Sequence, residues 1–217
     1  FHLHLGAHRT GTTALQKLVE GSAARLAAMG IAFYGPGVLR GWGLYDALQR
    51  LSDGRETRDL LRVHRRVLAE LFAETPTARR IVLSDENMIG DMMRNYVDAQ
   101  LYAEAPARLA ALVRLLPKVP DVVIFTIRDF AGYWQSVFAH LASRGRVGTF
   151  EAERLALSPQ MSWLPVLRAI RAAFPQSRLR ILGYDASVTA RLLPDLVGPK
   201  AAAMLPAAKQ PPALALP

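Results

Sequence analysis

Short apolar segments alternate with amphipathic segments along the chain. Five short segments have the length and composition of β-strands, namely residues 1–5, 31–34, 81–83, 121–127 and 179–182. The fourth, DVVIFTI, is apolar without alternation, which is typical of a parallel strand buried on both faces. Apolar residues at helical spacing predict helices over residues 12–29, 44–51, 56–72, 107–116, 130–143 and 163–174. The segment 35–43 is rich in glycine and proline, and we expect a loop there.

The alternation of strands and helices predicts the fold class. Crossover connections between parallel strands are right-handed and place helices on both faces of a sheet. We therefore predict an α/β fold with a three-layer parallel sheet and helices on both faces. Residues 1–193 are assigned to a single domain, and the Ala- and Pro-rich residues 194–217 to a loosely packed C-terminal extension. Because ligands bind at the carboxyl ends of such strands, the residues that follow each strand are the first candidates for a site.

Composition narrows the class of protein. The 217 residues are 51% hydrophobic and 21% charged, as in an ordinary globular protein, and no apolar run reaches the ~18 residues of a membrane span. The absence of cysteine excludes disulfides, thiolate nucleophiles and Cys-ligated zinc, and we expect a reducing, cytoplasmic location. The chain begins with Phe1 in strand-like sequence, so we expect the natural start to lie upstream. A net charge of +9 favours an anionic partner, which can be a phosphorylated cofactor, an acidic glycan, nucleic acid or a membrane surface.

A polar turn separates the first predicted strand from the first predicted helix. It reads Gly-Ala-His-Arg-Thr-Gly-Thr-Thr over residues 6–13. Gly6 and Gly11 permit backbone conformations that are strained for other residues, and the free N–H groups at a helix start favour negative charge. Arg9 adds a fixed positive charge. We therefore predict that this turn binds a phosphate or sulfate group.

The turn differs from the loop of nucleoside triphosphatases at one decisive position. Those enzymes require Lys after the second glycine, and here that position is Thr12. The run Arg9-Thr10-Gly11-Thr12-Thr13 instead resembles the 5′-phosphosulfate loop of sulfotransferases that use 3′-phosphoadenosine 5′-phosphosulfate (PAPS), with the signature Lys/Arg-Ser/Thr-Gly-Thr-Thr. Many members have Lys where this chain has Arg9. The resemblance implies that these five residues bind the 5′-phosphosulfate and that Arg9 also stabilises charge on the leaving oxygen.

A second segment extends the resemblance to about residue 148. Arg128 ends the strongest predicted strand, and Ser136 follows eight positions later on the next helix. In the sulfotransferase family, an Arg and a Ser in these places hold the 3′-phosphate of PAPS, and a guanidinium fork suits that anion. The resemblance is to bacterial members that act on carbohydrates or small molecules. The resemblance implies a sheet topology like that of P-loop nucleoside triphosphatases. It also implies that Arg9 and Arg128 lie within reach of one nucleotide and that adenosine 3′,5′-bisphosphate is released.

Sulfuryl transfer also needs a base for the proton of an acceptor hydroxyl or amine. The family places a His or Glu near the sulfate, and the strand 81–83 is followed here by Ser-Asp-Glu-Asn. We predict Glu86 as the base, with Asp85 as second choice and His8 and His140 behind them. An alternative is that Ser84 begins a helix whose dipole the two acids complement. The resemblance requires no metal, and residues 145–148 are a candidate lid over the acceptor.

Three other functions remain open at this point. A P-loop kinase would use ATP and Mg²⁺, although the missing Lys disfavours it. A basic nucleic-acid-binding module would explain the net charge, but the arginines are scattered and form no recognisable motif, so we expect no nucleic-acid partner. His2 and His4 form a His-x-His pair of the kind that binds metals, but too few further ligands accompany them. The expected acceptor is a small molecule or a glycan, chosen by loops such as 35–43, and the sequence predicts no oligomeric state.

Overall fold

A five-stranded parallel β-sheet forms the centre of the fold. The structure is a computed structural model and describes residues 1–147 and 161–206. The strands are β1 (His2–His4), β2 (Ile31–Tyr34), β3 (Arg80–Ser84), β4 (Val122–Ile127) and β5 (Arg178–Gly183). Their order is β2-β3-β1-β4-β5, and every neighbouring pair is parallel. Helices flank both faces of this sheet, which confirms the predicted three-layer α/β fold of P-loop type.

The helices of the described residues connect these strands and cover the sheet. They are α1 (Thr12–Glu20), α2 (Ala23–Ala28), α3 (Pro36–Gly41), α4 (Leu44–Ser52), α5 (Arg58–Ala73), α6 (Met92–Asp98), α7 (Ala105–Leu115), α8 (Phe130–Ala142), α9 (Leu164–Ala173), α10 (Val188–Val197) and α11 (Pro199–Ala203). A 3₁₀ turn, Glu86–Met88, follows β3. Among these helices, none has the length and apolar character needed to cross a bilayer.

Successive side chains along a strand pack on opposite faces of the sheet. Leu83 and Val123 belong to a core formed with α3, α4, α5, α7, α8 and α9. Val82 and Ile124, their chain neighbours, belong to a second core formed with α1, α2, α10 and α11. This two-sided burial explains why the central strands are continuously apolar in sequence.

Two predicted elements were wrong in detail, and other helices were not predicted. The helix predicted over residues 12–29 is two helices, because α1 ends at Gly21 and a separate α2 follows. The loop predicted over 35–43 contains α3, which begins with Pro36 in its first turn, where the missing N–H costs no helical hydrogen bond. Helix α6 was not predicted, and it begins at Asp91, whose side chain accepts hydrogen bonds from the backbone N–H groups of Met93 and Arg94.

The predicted domain end at residue 193 lies inside a helix. Helix α10 continues through Pro194, and Leu196 and Val197 are buried against the sheet together with Ala201 of α11. An internal proline costs a helix about 3 kcal/mol, and burying a Leu or Val side chain returns about 1.5–3 kcal/mol each. The predicted loose extension is therefore packed as far as α11, and residues 207–217 lie outside the described residues.

The strand order positions the candidate site. β1 is the middle strand, paired with β3 on one side and β4 on the other. The end of β1 and the turn after it are attached to both neighbours, because Asp85 N–H donates to the His4 carbonyl at 3.3 Å and Ala7 N–H donates to the Thr126 carbonyl at 3.2 Å. The segments that follow β3, β1 and β4 consequently lie side by side at the carboxyl edge of the sheet.

Candidate functional site

The turn after β1 has the backbone of an anion-binding loop. Gly6, Arg9 and Gly11 have φ values of +51°, +63° and +80°. Gly11 is the N-cap of α1 and provides no side-chain hydrogen bond, so the first N–H groups of the helix have no side-chain acceptor at the cap. The buried Thr10 hydroxyl closes the turn by donating to the Ala7 carbonyl at 2.6 Å. Backbone N–H groups are thereby presented at the positive end of the α1 dipole.

The Arg9 side chain extends from this turn to α8. Its Nε donates to Ser136 Oγ at 3.0 Å, and its Nη1 lies 3.4 Å from His140 Nδ1. A guanidinium has only donors, so Nδ1 of His140 is the acceptor in this contact. Arg9 and Ser136, which the resemblance assigned to opposite ends of the nucleotide, are therefore direct neighbours.

The Arg128 side chain contacts the backbone of Arg9. Its Nη1 donates to the Arg9 carbonyl at 2.9 Å, and its Cζ is 4.5 Å from the centre of the Tyr184 ring. The Arg128 carbonyl accepts a hydrogen bond from Trp163 Nε1 at 2.8 Å, which anchors the end of β4. The two arginines are thus connected through the backbone carbonyl of Arg9. Burial and the nearby Arg128 charge lower the pKa of Arg9.

Glu86 lies at the end of β3 and faces the same site. Gln16 Nε2 donates to its Oε2 at 3.1 Å, and Arg40 Nη2 lies 3.3 Å from its Oε1. The Glu86 side chain retains 12% of its exposure, so it is shielded but accessible. Burial alone would raise the pKa of this carboxyl, but the nearby His8 ring, the backbone N–H of Glu86, Gln16 and Arg40 together lower it. Glu86 is accordingly a carboxylate at neutral pH.

Both carboxylate oxygens of Asp85 form hydrogen bonds that stabilise the local structure. Arg40 donates two of them, from Nε at 2.9 Å and from Nη2 at 2.7 Å. Asp85 Oδ1 also accepts from the backbone N–H of Asn87 at 2.9 Å and so caps the 3₁₀ turn, which agrees in part with the capping alternative. With both oxygens engaged and the side chain buried, Asp85 is a less accessible proton acceptor than Glu86.

His8 is part of the turn, and both nitrogens of its ring form hydrogen bonds with residues outside the turn. Its Nε2 donates to Asn87 Oδ1 at 2.7 Å, and its Nδ1 lies 2.7 Å from the Tyr102 hydroxyl. The same hydroxyl accepts the backbone N–H of His8 at 2.8 Å. Burial lowers the pKa of His8, so the ring is neutral and its Nδ1 accepts the Tyr102 proton. Both ring nitrogens are therefore occupied.

His140 occupies a strongly cationic position. Partial burial, followed by the charges of Arg9 and Arg144, lowers the pKa of its ring to about 4. Because Nδ1 accepts from Arg9, the neutral ring carries its proton on Nε2. In this arrangement the Nε2–H group of His140 can donate a hydrogen bond to an anion.

A pocket of about 340 Å³ opens between these groups. Its walls are His8, Arg9, Thr12, Thr13, Arg40, Glu86, Asn87, Asp91, Met92, Met93, His140, Leu141, Arg144 and Arg146. Arg146 belongs to the predicted lid 145–148, of which residue 148 lies outside the described residues. The pocket is large enough for an anionic group together with part of an acceptor.

The two strand histidines have separate partners. His2 Nδ1 lies 2.7 Å from the Asp195 carbonyl, and His4 Nδ1 lies 2.8 Å from Ser84 Oγ. Within residues 1–147 and 161–206, no three His, Asp or Glu side chains are grouped so that they could hold a metal ion.

Three residues of the site were not found from the sequence. Arg40 was placed in a loop, although Pro36 in the first turn of α3 was an available helix signal. Gln16 gave no signal beyond its position on the buried side of α1. Tyr102 has a φ of +48° and approaches His8 from 94 residues away, a contact that no local pattern encodes.

Comparison with known proteins adds no relative. No family model and no curated protein matches this chain. A functional assignment therefore depends on the geometry of the site and on the resemblance of its two motifs.

Proposed function

We propose that this protein is a sulfotransferase that moves a sulfuryl group from PAPS to a hydroxyl or amine of a small molecule or glycan. One observation carries the proposal. The turn that begins α1, Ser136 of α8 and Arg128 at the end of β4 form a single hydrogen-bonded cluster beside a pocket that contains Glu86. The two sequence motifs that resemble the family therefore meet at the carboxyl edge of the sheet.

The charge of the cluster suits a polyanionic ligand. In the described ranges, neither Arg9 nor Arg128 forms an ion pair with a carboxylate. Arg128 Nε is buried and has no hydrogen-bond partner among the described residues. Two neighbouring cations without a counter-charge repel each other, and a bound anion removes that repulsion. A ligand with a phosphate at each end of a ribose would supply one anion to the α1 turn and one to Arg128 and Ser136.

The proposed roles follow from the position of each group. PAPS supplies the sulfuryl group when it is bound. Arg9 and the N–H groups of residues 10–13 bind and orient the 5′-phosphosulfate, and the loss of one such donor typically costs ~10²–10³-fold in rate. Glu86 accepts the proton of the acceptor group on a carboxylate oxygen, for which its ionised state at neutral pH is required.

The decisive experiment compares nucleotides by calorimetry and thermal unfolding. We expect adenosine 3′,5′-bisphosphate to bind and, at about 100 times its Kd, to stabilise the fold by about 2.7 kcal/mol. ATP with Mg²⁺ is the competing ligand, and a preference for it would replace this proposal with a phosphotransferase. Arg9→Ala should abolish binding of the bisphosphate without unfolding the protein. The matched control is Arg65→Ala on the exposed face of α5, which should bind normally.

Transfer itself is tested with radiolabelled PAPS and a panel of glycan, phenol and amine acceptors. We expect labelled product from the wild type and none from Arg9→Ala. Glu86→Gln should retain the affinity for adenosine 3′,5′-bisphosphate and lose ~10²-fold or more in turnover, because it removes the proton acceptor and keeps the side-chain size. Unchanged turnover in Glu86→Gln would place the base elsewhere.

A further inference from the structure

A chain of four hydrogen-bonded side chains connects the buried strand β1 to the pocket. His4 Nδ1 lies 2.8 Å from Ser84 Oγ, Gln16 Nε2 lies 3.2 Å from the same Oγ, and Gln16 Nε2 lies 3.1 Å from Glu86 Oε2. The His4, Gln16 and Ser84 side chains are buried, so water cannot easily replace these contacts.

The direction of two of these hydrogen bonds follows from the donors available. The Gln16 amide nitrogen carries two protons and gives one to Ser84 and one to Glu86. Ser84 Oγ thus accepts from Gln16 and also forms a hydrogen bond with His4 Nδ1. Glu86 is the last acceptor in this series of hydrogen bonds. Its Oε2 accepts from the Gln16 amide, which does not take up a proton at neutral pH.

Gln16 also links two elements of the site. It lies on α1, one turn after Thr12, so the same short helix carries the anion-binding N–H groups and the donor to Glu86. By contrast, the side chain of Thr57, the N-cap of α5, forms its hydrogen bond within its own helix. The Gln16 amide instead spans from α1 to β3 and to the turn that follows β3.

We propose that Gln16 is a positioning residue that holds the Glu86 carboxylate toward the pocket and fixes it as a proton acceptor. The part of this inference that concerns catalysis rests on the proposed function. The part that concerns the state of Glu86 does not, and it can be measured in the protein without any substrate.

Several groups face Glu86 and must be considered in such a measurement. They are His8 of the α1 turn, Arg40 of α3, Asp85 beside it, His4 of β1 and Tyr102 of the α6–α7 connection. Burial opposes ionisation of Glu86, and His8, Gln16 and Arg40 are among the groups that lower its pKa. Removing the Gln16 donor therefore raises the pKa of Glu86, whereas the other groups stay in place.

The test is a titration of the Glu86 carboxyl by ¹³C NMR in glutamate-labelled protein, with Glu86→Gln used to assign the signal. Gln16→Met keeps the side-chain length and removes both donors, so we expect the Glu86 midpoint to move to higher pH. Gln16→Glu keeps the shape and places a second carboxyl beside Glu86, and it should also raise the midpoint if Gln16→Met fails to fold. Gln135→Met on the exposed face of α8 is the control and should leave the midpoint unchanged. An unchanged midpoint in folded Gln16→Met or Gln16→Glu overturns the inference.

Kinetics then test the catalytic part. Gln16→Met should lower kcat by ~10-fold or more and leave the KM for PAPS within about twofold, with the acid limb of the pH profile moved upward. In the Glu86→Gln background, Gln16→Met should cause no further loss in kcat, and an additional loss would show that Gln16 does not act through Glu86. If the NMR midpoint moves but the wild type transfers no sulfuryl group to any acceptor, the inference about Glu86 is upheld and the proposed function is the part that fails.

Discussion

Substitution of Gly6 by alanine gives a quantitative test of the close packing beneath the turn after β1. Gly6 has a φ of +51°, and an added Cβ would lie 2.6 Å from Thr12 Cγ2 and 3.2 Å from His4 Nε2. The left-handed backbone conformation costs an alanine about 1–2 kcal/mol. A contact at 2.6 Å forces the turn or Thr12 to move, and overpacking of this kind typically costs about 1–3 kcal/mol. We therefore expect Gly6→Ala to lower the free energy of unfolding by about 2–5 kcal/mol.

Two other glycines separate the backbone effect from the steric effect. Gly54 has a φ of +71° with no atom within 4 Å of an added Cβ, and Gly11 has a φ of +80° with its nearest contact at 3.5 Å. Alanine at either position should cost only the backbone contribution of about 1–2 kcal/mol. Urea unfolding of all three variants, with unchanged m-values, measures the difference. If Gly6→Ala loses no more stability than Gly54→Ala, the close packing of Thr12 and His4 beneath the turn is not a constraint on the sequence.

Two predictions concern Arg128 and the buried His4. Arg128→Ala should weaken binding of adenosine 3′,5′-bisphosphate much more than binding of AMP, and equal losses in calorimetry would contradict a contact with the 3′-phosphate. Burial lowers the pKa of His4 to about 4, so this ring binds a proton more weakly in the folded chain than in the unfolded chain. Stability should thus fall as the pH drops from about 6.5 to 4, by about 3 kcal/mol from His4 alone. His4→Phe should show a correspondingly smaller loss between pH 7 and pH 4.5 in urea unfolding, and an equal loss would refute this origin.

The sequence was most informative where a single segment determines its own structure. The uninterrupted apolar run before Arg128 predicted a two-sided strand, and β4 is that strand. The glycines of the turn predicted left-handed backbone at Gly6 and Gly11, and both have positive φ. The alternation of strands and helices predicted a parallel sheet with helices on both faces, and the structure confirms both features.

The details that escaped prediction depend on contacts between distant residues. The pairing of Arg40 with Asp85 spans 45 positions, and no periodicity relates the two residues. Asp85 and Glu86 are adjacent acids in the sequence, and only the position of Arg40 and Gln16 assigns one to structure and leaves the other at the pocket. The break in the first predicted helix at Gly21 shows the same limit, because the apolar spacing continues across it.

The strand order divides the pocket into parts that tolerate change differently. β1, which leads into the turn, is paired with a strand on each side, so a change of register in β1 would disrupt hydrogen bonds to two strands at once. β2 is an edge strand and is paired only with β3. Helix α3, which provides Arg40, follows this edge strand directly. We therefore expect substitutions in α3 to be tolerated better than substitutions in β1, which lies at the middle of the sheet.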